Sequence, residues 1–420
     1  MIKFLAASIH WSTILSTMLF PVHLSIASAP VIMSQQPKIS PQAALERLFT
    51  APEIERQWFA DSFLSQVPVS PEQIIRDLQN QLGPFQSLQS EGEGYRVVFE
   101  RGSLAALIRL DETEKISSLW FHDIRSNAIA LPDAIEQFQA LPGQVSLLVV
   151  ETTETPTGSG IELASLNADQ PMAVGSTFKL AILAALHQEI QAGRYSWADV
   201  VALEPQDKSL PSGILQDWFD GALLTVQTLA TLMISQSDNT ATDLLIRWVG
   251  REKVEEFAPR NRPFLTTREA FVLKAAPNAS LLTRYRAGNE TERRQLLSEL
   301  VQVSLPEVTS LSDRPTALDV EWFFTARELC SLIGQVSDLP LTRVNPGINP
   351  AGWSQMAYKG GSEPGVLNLT HELVSQTGKR YCVSATWNDA DAPLDENHFF
   401  TLYSSMVSGL QDAGLQDANR

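Results

Sequence analysis

The chain is short of the residues that carry metal and redox chemistry. Of its 420 residues two are cysteine and six are histidine. The histidines are scattered, and His371-Glu372 is not followed by the second histidine of a zinc helix. No metal cluster is expected and no cofactor is implied. Positive charge is scarce too: 31 Lys and Arg against 48 Asp and Glu give a net charge of -17. That argues against nucleic acid or an anionic membrane surface as a partner. If the substrate is an anion, local positive charge must hold it. Beyond the first 29 residues no apolar run is long enough to span a bilayer. No serine stands in the G-x-S-x-G setting of an α/β-hydrolase.

What remains, 44% hydrophobic and 19% charged residues, is the composition of an ordinary globular protein, long enough for two or three domains. Residues 1–29 read as a signal peptide: Lys3, an apolar run over 13–26, then Ala27-Ser28-Ala29 as an A-x-A-like site. Ser, Thr and His dilute the run and Pro30 disfavours cleavage there, so an uncleaved membrane anchor is the alternative. Export, to the periplasm or the outside of the cell, is the expectation, with no membrane span after signal removal. In an exported protein Cys330 and Cys382 could pair. One lies in a helical pattern and the other in a strand pattern, and two buried thiols are the favoured reading.

Residues 30–40 are a polar, proline-containing leader. From 41 to about 82 the pattern is helical, with apolar stripes at Ala44/Leu45/Leu48/Phe49, Trp58/Phe59/Phe63/Leu64 and Ile74/Ile75/Leu78/Leu82. The period then becomes two, and three strands are expected, around Tyr95/Val97/Phe99, over 104–110 and over 116–121. Residues 41–131 thus form a small α+β domain whose aromatics are read as core. A second domain, 133–420, begins with a helix over 135–141 and a buried strand over 145–151. It ends with strands near 356–359, 366–373 and 381–387 and a helix over 399–410. Residues 284–312 are charged and end in an apolar helix.

One stretch carries chemistry. Ser176-Thr177-Phe178-Lys179 opens a helix with almost no polar side chains, so the hydroxyl and the ammonium share a face. The first-turn N–H groups and the positive end of the dipole would stabilise an oxyanion beside Ser176. This is the pattern of a nucleophilic serine with a lysine base. Lys179 is that base only when neutral, and burial and the charge of Lys359 would both lower its pKa. The alternative is a protonated structural lysine paired with Asn239. Ser237-Asp238-Asn239 follows on a turn between apolar helices, and Lys359-Gly360-Gly361-Ser362 precedes an alternating strand. Ser176/Lys179 is the single pair of its spacing, and each triplet occurs once.

These motifs, in this order, resemble S-x-x-K, S-D-N and K-T-G of the class A β-lactamases and penicillin-binding proteins, over roughly residues 133–410. The resemblance implies an α+β fold: an antiparallel sheet with helices on both sides. Preceded by a small α+β domain, the arrangement is similar to the two-domain hydrolases represented in the clavulanic acid gene cluster, whose first domain is NTF2-like. It implies Ser176 as nucleophile, Lys179 as base, Ser237 as proton relay to the leaving nitrogen, and Lys359 across the cleft. Asn239 would orient Lys179 and a substrate carbonyl, while Asp238 holds its turn. The Ser362 N–H would complete the oxyanion hole with that of Ser176, the Ser362 hydroxyl would bind a substrate carboxylate, and Gly360 and Gly361 would let a ligand approach the strand.

Two departures stand out. Gly360 replaces the usual hydroxyl residue, and the strand that follows lacks an arginine for a substrate carboxylate, with His371 at most a weak substitute. No E-x-x-L-N glutamate lies between Asn239 and Lys359. Glu269 is the nearest candidate for the water base, against a surface glutamate at a helix start. The implied partner is a small β-lactam, ester or peptide substrate. β-Lactam hydrolysis through an acyl-enzyme is the expected function. The alternatives are an esterase, amidase or D,D-peptidase on the same residues, or a penicillin-binding receptor without turnover.

Overall fold

A computed structural model describes residues 39–152 and 160–418. The signal-peptide reading and most of the leader lie outside these residues. The chain divides into two compact units, Met1–Ser126 and Asn127–Arg420.

In the first unit, helix α1 (Pro41–Thr50) starts where Ser40 accepts the Ala43 N–H and Pro41 sets the first turn. Its one apolar stripe buries Ala44, Leu45, Leu48 and Phe49. The expected second helical stripe resolves into a 3₁₀ turn at Arg56–Trp58 and the single turn α2 (Asp61–Leu64). Phe59 is instead extended, bridging to Ile116. Helix α3 (Pro71–Leu82) repeats the Ser-Pro start of α1 at Ser70. Four strands follow in sequential antiparallel order: β1 (Phe85–Glu91), β2 (Gly94–Phe99), β3 (Gly102–Leu110) and β4 (Ile116–Ser126). The sequence predicts only three of them. β1 is an edge strand of largely polar residues, with no apolar alternation to mark it. Phe49, Phe85 and Phe99 close the core between α1 and the sheet.

The second unit begins with α4 (Leu131–Gln139), β5 (Gln144–Thr152), β6 (Ile161–Leu166) and the two-residue β7 (Met172–Ala173). Its helical half comprises α5 (Lys179–Gln191), the hairpin β8 (Val200–Ala202) and β9 (Leu223–Thr225), α6 (Val226–Ser235), α7 (Asn239–Val249), α8 (Arg251–Phe257), α9 (Thr267–Lys274), α10 (Ala279–Ala287) and α11 (Glu290–Leu300). The chain returns through β10 (Phe323–Phe324), α12 (Ala326–Val336), β11 (Trp353–Glu363), β12 (Val366–Ser375), β13 (Arg380–Asn388) and α13 (Glu396–Ala418).

The main sheet runs β11-β12-β13-β5-β6, antiparallel throughout. Leu147 and Val149 of β5 face a core closed by Phe138 of α4 and Phe399 of α13, while Leu148 and Val150 face Ala326 of α12. Both faces being covered explains why β5 reads as an unbroken apolar run. Helix α5 is buried on all sides, Leu180 through Leu186 being 3% exposed or less, so its sequence shows no polar face. β11 is an edge strand of this sheet, and its free edge packs against the turn Gly175–Phe178.

Cys330 of α12 and Cys382 of β13 form a disulfide, correcting the expectation of two free thiols. α12 lies flat on the sheet, bringing the two Cα atoms to 5.7 Å, a proximity that helix and strand periodicity cannot reveal. The bridge closes a loop of 52 residues. Cys330→Ser should therefore lower unfolding stability by about 2–4 kcal/mol in urea titration, with the same loss on reducing the wild type. Equal stability of the oxidised and reduced protein would show that the bridge contributes nothing.

Candidate active site

Ser176 lies in the 3₁₀ turn Gly175–Phe178 that runs into α5. The turn is fixed from both sides. Val174 donates its N–H to the Trp322 carbonyl, and the Phe178 ring stacks on Trp322 at 3.8 Å. Gly175 has φ +49°, a conformation that favours glycine.

Lys179 is fully buried, and its Nζ lies among four oxygens: Ser237 O at 2.6 Å, Asn239 Oδ1 at 2.7 Å, Ser237 Oγ at 3.0 Å and Ser176 Oγ at 3.2 Å. The two nearest can only accept, because Asn239 Nδ2 is spent on the Leu210 carbonyl, which fixes the amide's orientation. A neutral amine would give its two hydrogens to those acceptors and turn its lone pair to the hydroxyls. Burial first, and the charge of Lys359 second, drive the pKa of Lys179 well below that of an ordinary lysine.

Ser237 sits at φ +56°, a left-handed position held by its neighbours. Asp238, wholly buried, caps α7 through the Ala241 N–H and also accepts the N–H groups of Ile214 and Leu215. Ser212 donates its hydroxyl to the Ser237 carbonyl and accepts the Asn239 N–H at its own carbonyl. Residues 210–215 thus clamp the turn, a role sequence reasoning missed. The available signal was Pro211-Ser212-Gly213, where a Cβ on Gly213 would fall 2.3 Å from the Asp238 carboxyl.

Lys359, 3% exposed, donates to Ser237 Oγ at 3.2 Å and to the Gly360 carbonyl. Burial lowers its pKa to about 7. The structure therefore joins Ser176, Lys179, Ser237, Asn239 and Lys359 through the two lysine ammonium groups. Gly361 and Ser362 adjoin them. A Cβ on Gly361 would lie 2.2 Å from the Val174 carbonyl and 2.5 Å from Ser176 N, and one on Gly175 would lie 3.2 Å from Ser362 N. What presses against Gly361 is the protein's own nucleophile turn, not a ligand as the sequence suggested. The backbone nitrogens of Ser176 and Ser362 meet at this junction. At Gly360 the Tyr358 hydroxyl fills the side-chain position, 2.1 Å from where a Cβ would stand.

Glu269 stands apart from this cluster. Its carboxylate closes the capping box of α9 with the Thr266 N–H and receives both guanidinium nitrogens of Arg251, at 2.7 and 3.1 Å. It stands at a helix start as the alternative reading had it, but buried rather than on the surface. His371 does not substitute for an arginine either. Its ring nitrogens lie 2.8 Å from the Tyr403 hydroxyl and 2.9 Å from the Pro346 carbonyl, and burial pushes its pKa down to about 4.

Sequence reasoning also missed a buried ionic cluster. Lys274 of α9 bonds Glu321, just before β10, and Glu363 at the end of β11 at 2.8 Å. It ties the Trp322 segment to the strand that carries Gly361 and Ser362. The two carboxylates hold Lys274 protonated against its burial, while burial and the nearby Glu363 raise Glu321 well above the carboxylate range.

A serine hydroxyl beside a buried lysine, at the start of a helix and next to an edge strand, is the kind of arrangement that acyl transfer on a serine uses. Residues 130–320 match the model of the beta-lactamase enzyme family, a span that includes Ser176 and Ser237 but not Lys359. Beta-lactamase VEB-1 of Pseudomonas aeruginosa is 28% identical over 151 residues, 34% of this chain and 48% of the relative. The chain thus spans about half the length of that curated relative. Among solved structures, a beta-lactamase from Sphaerobacter thermophilus DSM 20745 is 23% identical with a TM-score of 0.46, covering 68% of this chain and 97% of its own. PBP-A is 16% identical with a TM-score of 0.43, over 69% and 98%. Over residues 130–320 the second unit is thus similar to the beta-lactamase enzyme family.

Gly361→Ala should slow acylation of Ser176 about 100-fold, the size of losing one oxyanion donor, because the new methyl displaces the turn from the strand. The rate of covalent labelling by a penicillin, with circular dichroism to confirm folding, checks this. An unchanged rate would mean that the two nitrogens do not act together.

Proposed function

We propose that the second unit is a serine hydrolase that opens β-lactam amides through an acyl-enzyme on Ser176. The observation that carries this is the placement of Lys179 Nζ between the hydroxyls of Ser176 and Ser237, with two obligate acceptors taking its hydrogens. Neutral Lys179 takes the Ser176 proton as Oγ attacks the carbonyl carbon, and the oxyanion forms against the N–H groups of Ser176 and Ser362. The C–N bond breaks as Ser237 gives its proton to the leaving nitrogen, and Lys179 returns a proton to Ser237. Water then attacks the ester, releasing the acid and restoring Ser176. The Cys330–Cys382 bridge supports an exported location, since disulfides persist in oxidising compartments.

Nitrocefin turnover and intact mass after exposure to penicillin test the reading. Wild type should gain one acyl mass and Ser176→Ala none. No adduct on the wild type, with esters also untouched, sinks it. A second reading, an esterase or amidase on the same residues, is favoured by Glu269, whose carboxylate is engaged by Arg251. Glu269→Gln should leave the deacylation rate within about twofold while lowering stability by about 1–3 kcal/mol through the half-paired buried Arg251. Selective loss of deacylation would return Glu269 to the mechanism.

Lys359 is charged below its pKa of about 7 and neutral above it. Its help to an anionic substrate, and the acylation rate with it, should fall as pH rises through about 7. Lys359→Arg, charged at every accessible pH, should abolish that fall. A bend that persists in the arginine variant would assign it to another group.

A further inference from the structure

Tyr358 precedes Lys359 on β11, and its side chain runs along the strand: the hydroxyl lies over Gly360, two residues on, where a side chain of that residue would begin. The ring is held on two sides. It stacks on His371 at 4.5 Å, and a Cβ on Gly347, whose φ is +71°, would fall 2.6 Å from it. His371 is itself fixed by the Tyr403 hydroxyl and by the carbonyl of Pro346, the residue before Gly347. A ring in such a slot has one place for its oxygen, and the missing side chain at Gly360 leaves room for it. The hydroxyl makes no hydrogen bond among the described residues, and it is not one of the polar atoms sealed from solvent. Burial first, and the charge of Glu396 second, raise the phenol above its usual pKa, so it stays a donor across the working pH range. The other groups along this stretch differ. Ser362, next on the same face, has its proton committed to Glu396 Oε1 at 2.6 Å. Lys359 comes from the opposite face and lays its ammonium on the Gly360 carbonyl. A phenol O–H and an ammonium thus meet at Gly360, beside Gly361, the residue pressed against Ser176 N.

We propose that Tyr358 is a substrate-binding residue, whose hydroxyl acts with the Lys359 ammonium to hold the ring carboxylate of a β-lactam while Ser176 attacks. The inference rests on the reading of Ser176 as the acylated residue. It supplies the donor that the sequence appeared to lack. Gly360 brings no hydroxyl, the Ser362 hydroxyl gives its proton to Glu396, and the residue paired with Gly360 on β12 is the apolar Leu369. The Tyr358 hydroxyl is the one left at this place with its proton uncommitted. One O–H and one ammonium N–H match the two oxygens of a carboxylate, and both bonds are charge-assisted. Lys359 also bonds Ser237 Oγ, the proposed proton donor to the leaving nitrogen, so a carboxylate held at Gly360 keeps the leaving-group side of the substrate next to that donor. The conformation of Tyr358 gives His371 its part: the histidine backs the phenol ring instead of meeting the substrate.

Benzylpenicillin and its methyl ester isolate the carboxylate from the rest of the molecule, and both can be tested on the full chain. Intact mass against time reads the acylation rate of each, whether or not the acyl-enzyme turns over, with Ser176→Ala as the control for the site. Wild type should acylate faster with the acid. Tyr358→Phe keeps the stacked ring and removes the oxygen alone, and it should lower the acid-to-ester rate ratio by about tenfold or more, the size of a hydrogen bond to a charged group. The ratio cancels the reactivity of the β-lactam ring and any loss of active protein. Tyr358→Leu should lower it as far, and Tyr358→Leu with Gly360→Ser, which returns a hydroxyl to the place the phenol oxygen held, should restore most of it. A ratio within twofold of wild type in Tyr358→Phe, with the fold intact by circular dichroism, overturns the assignment, since a residue that only packs would slow both penicillins alike. So does a wild type that does not prefer the acid. Absence of a Ser176 adduct with both compounds overturns the acyl-enzyme reading and the assignment with it, an outcome distinguishable because no ratio then exists.

Discussion

Burying an amine among oxygens is the constraint on which the second unit depends. A lysine with no exposed surface cannot keep an isolated charge, because desolvation of the ammonium costs several kcal/mol even after relaxation (about that order). The protein meets this by surrounding Lys179 Nζ with oxygens from a different helix junction, and each of those oxygens is held in turn. Ser237 presents its carbonyl and hydroxyl because its backbone is left-handed, which Asp238 and Ser212 enforce. Asn239 presents Oδ1 because Leu210 takes its amide hydrogen. Thr267 extends the support, donating toward the Asn239 carbonyl and to Asp243, whose pKa burial raises to about 7. The apolar run of α5 follows from the same constraint, since a helix that carries its functional lysine inward is packed on every side.

The parts of the site that sequence made legible are those fixed by local geometry. Ser176 and Lys179 share a face because helical residues three apart always do. Ser237-Asp238-Asn239 falls on a turn because two apolar runs flank it, and Lys359 lies on a strand because alternation follows it. Contacts made through the fold were not legible. The disulfide needs α12 to lie on β13, and β1 is polar because one of its edges and much of its surface face water. Glu269 was visible as a carboxylate, but Arg251, eighteen positions away, decides what that carboxylate does. Gly361 was read correctly as a place of close approach, though not which group approaches.

The long stretch between α9 and β10 acquires a purpose from its two ends. Leu296, Leu297 and Leu300 of α11 anchor it in the helical core. At the return, Trp322 both stacks on Phe178 and accepts the Val174 N–H, so the segment forms one wall of the nucleophile turn. Lys274 then joins Glu321 on that wall to Glu363 on β11. One ammonium stands between two carboxylates, and burial together with the nearby Glu363 raises the Glu321 pKa well above the carboxylate range. The Trp322 segment and the strand that carries Gly361 and Ser362 are thus pinned to each other through Lys274.

The same constraint governs the two buried lysines, Lys179 and Lys359. Lys179 and Lys359 both bond Ser237 Oγ, and burial depresses both. Two full charges that close, in a region of low dielectric, repel, and the charge of Lys359 adds to burial in lowering the pKa of Lys179. Acyl transfer suits that condition. In the proposed acylation, the proton taken from Ser176 would add a positive charge to Lys179 at the moment the oxyanion adds a negative one, and passing it through Ser237 to the leaving group would remove both together. The buried cluster begins and ends the acylation with the same charge, which is what a site that cannot reorganise water around itself requires.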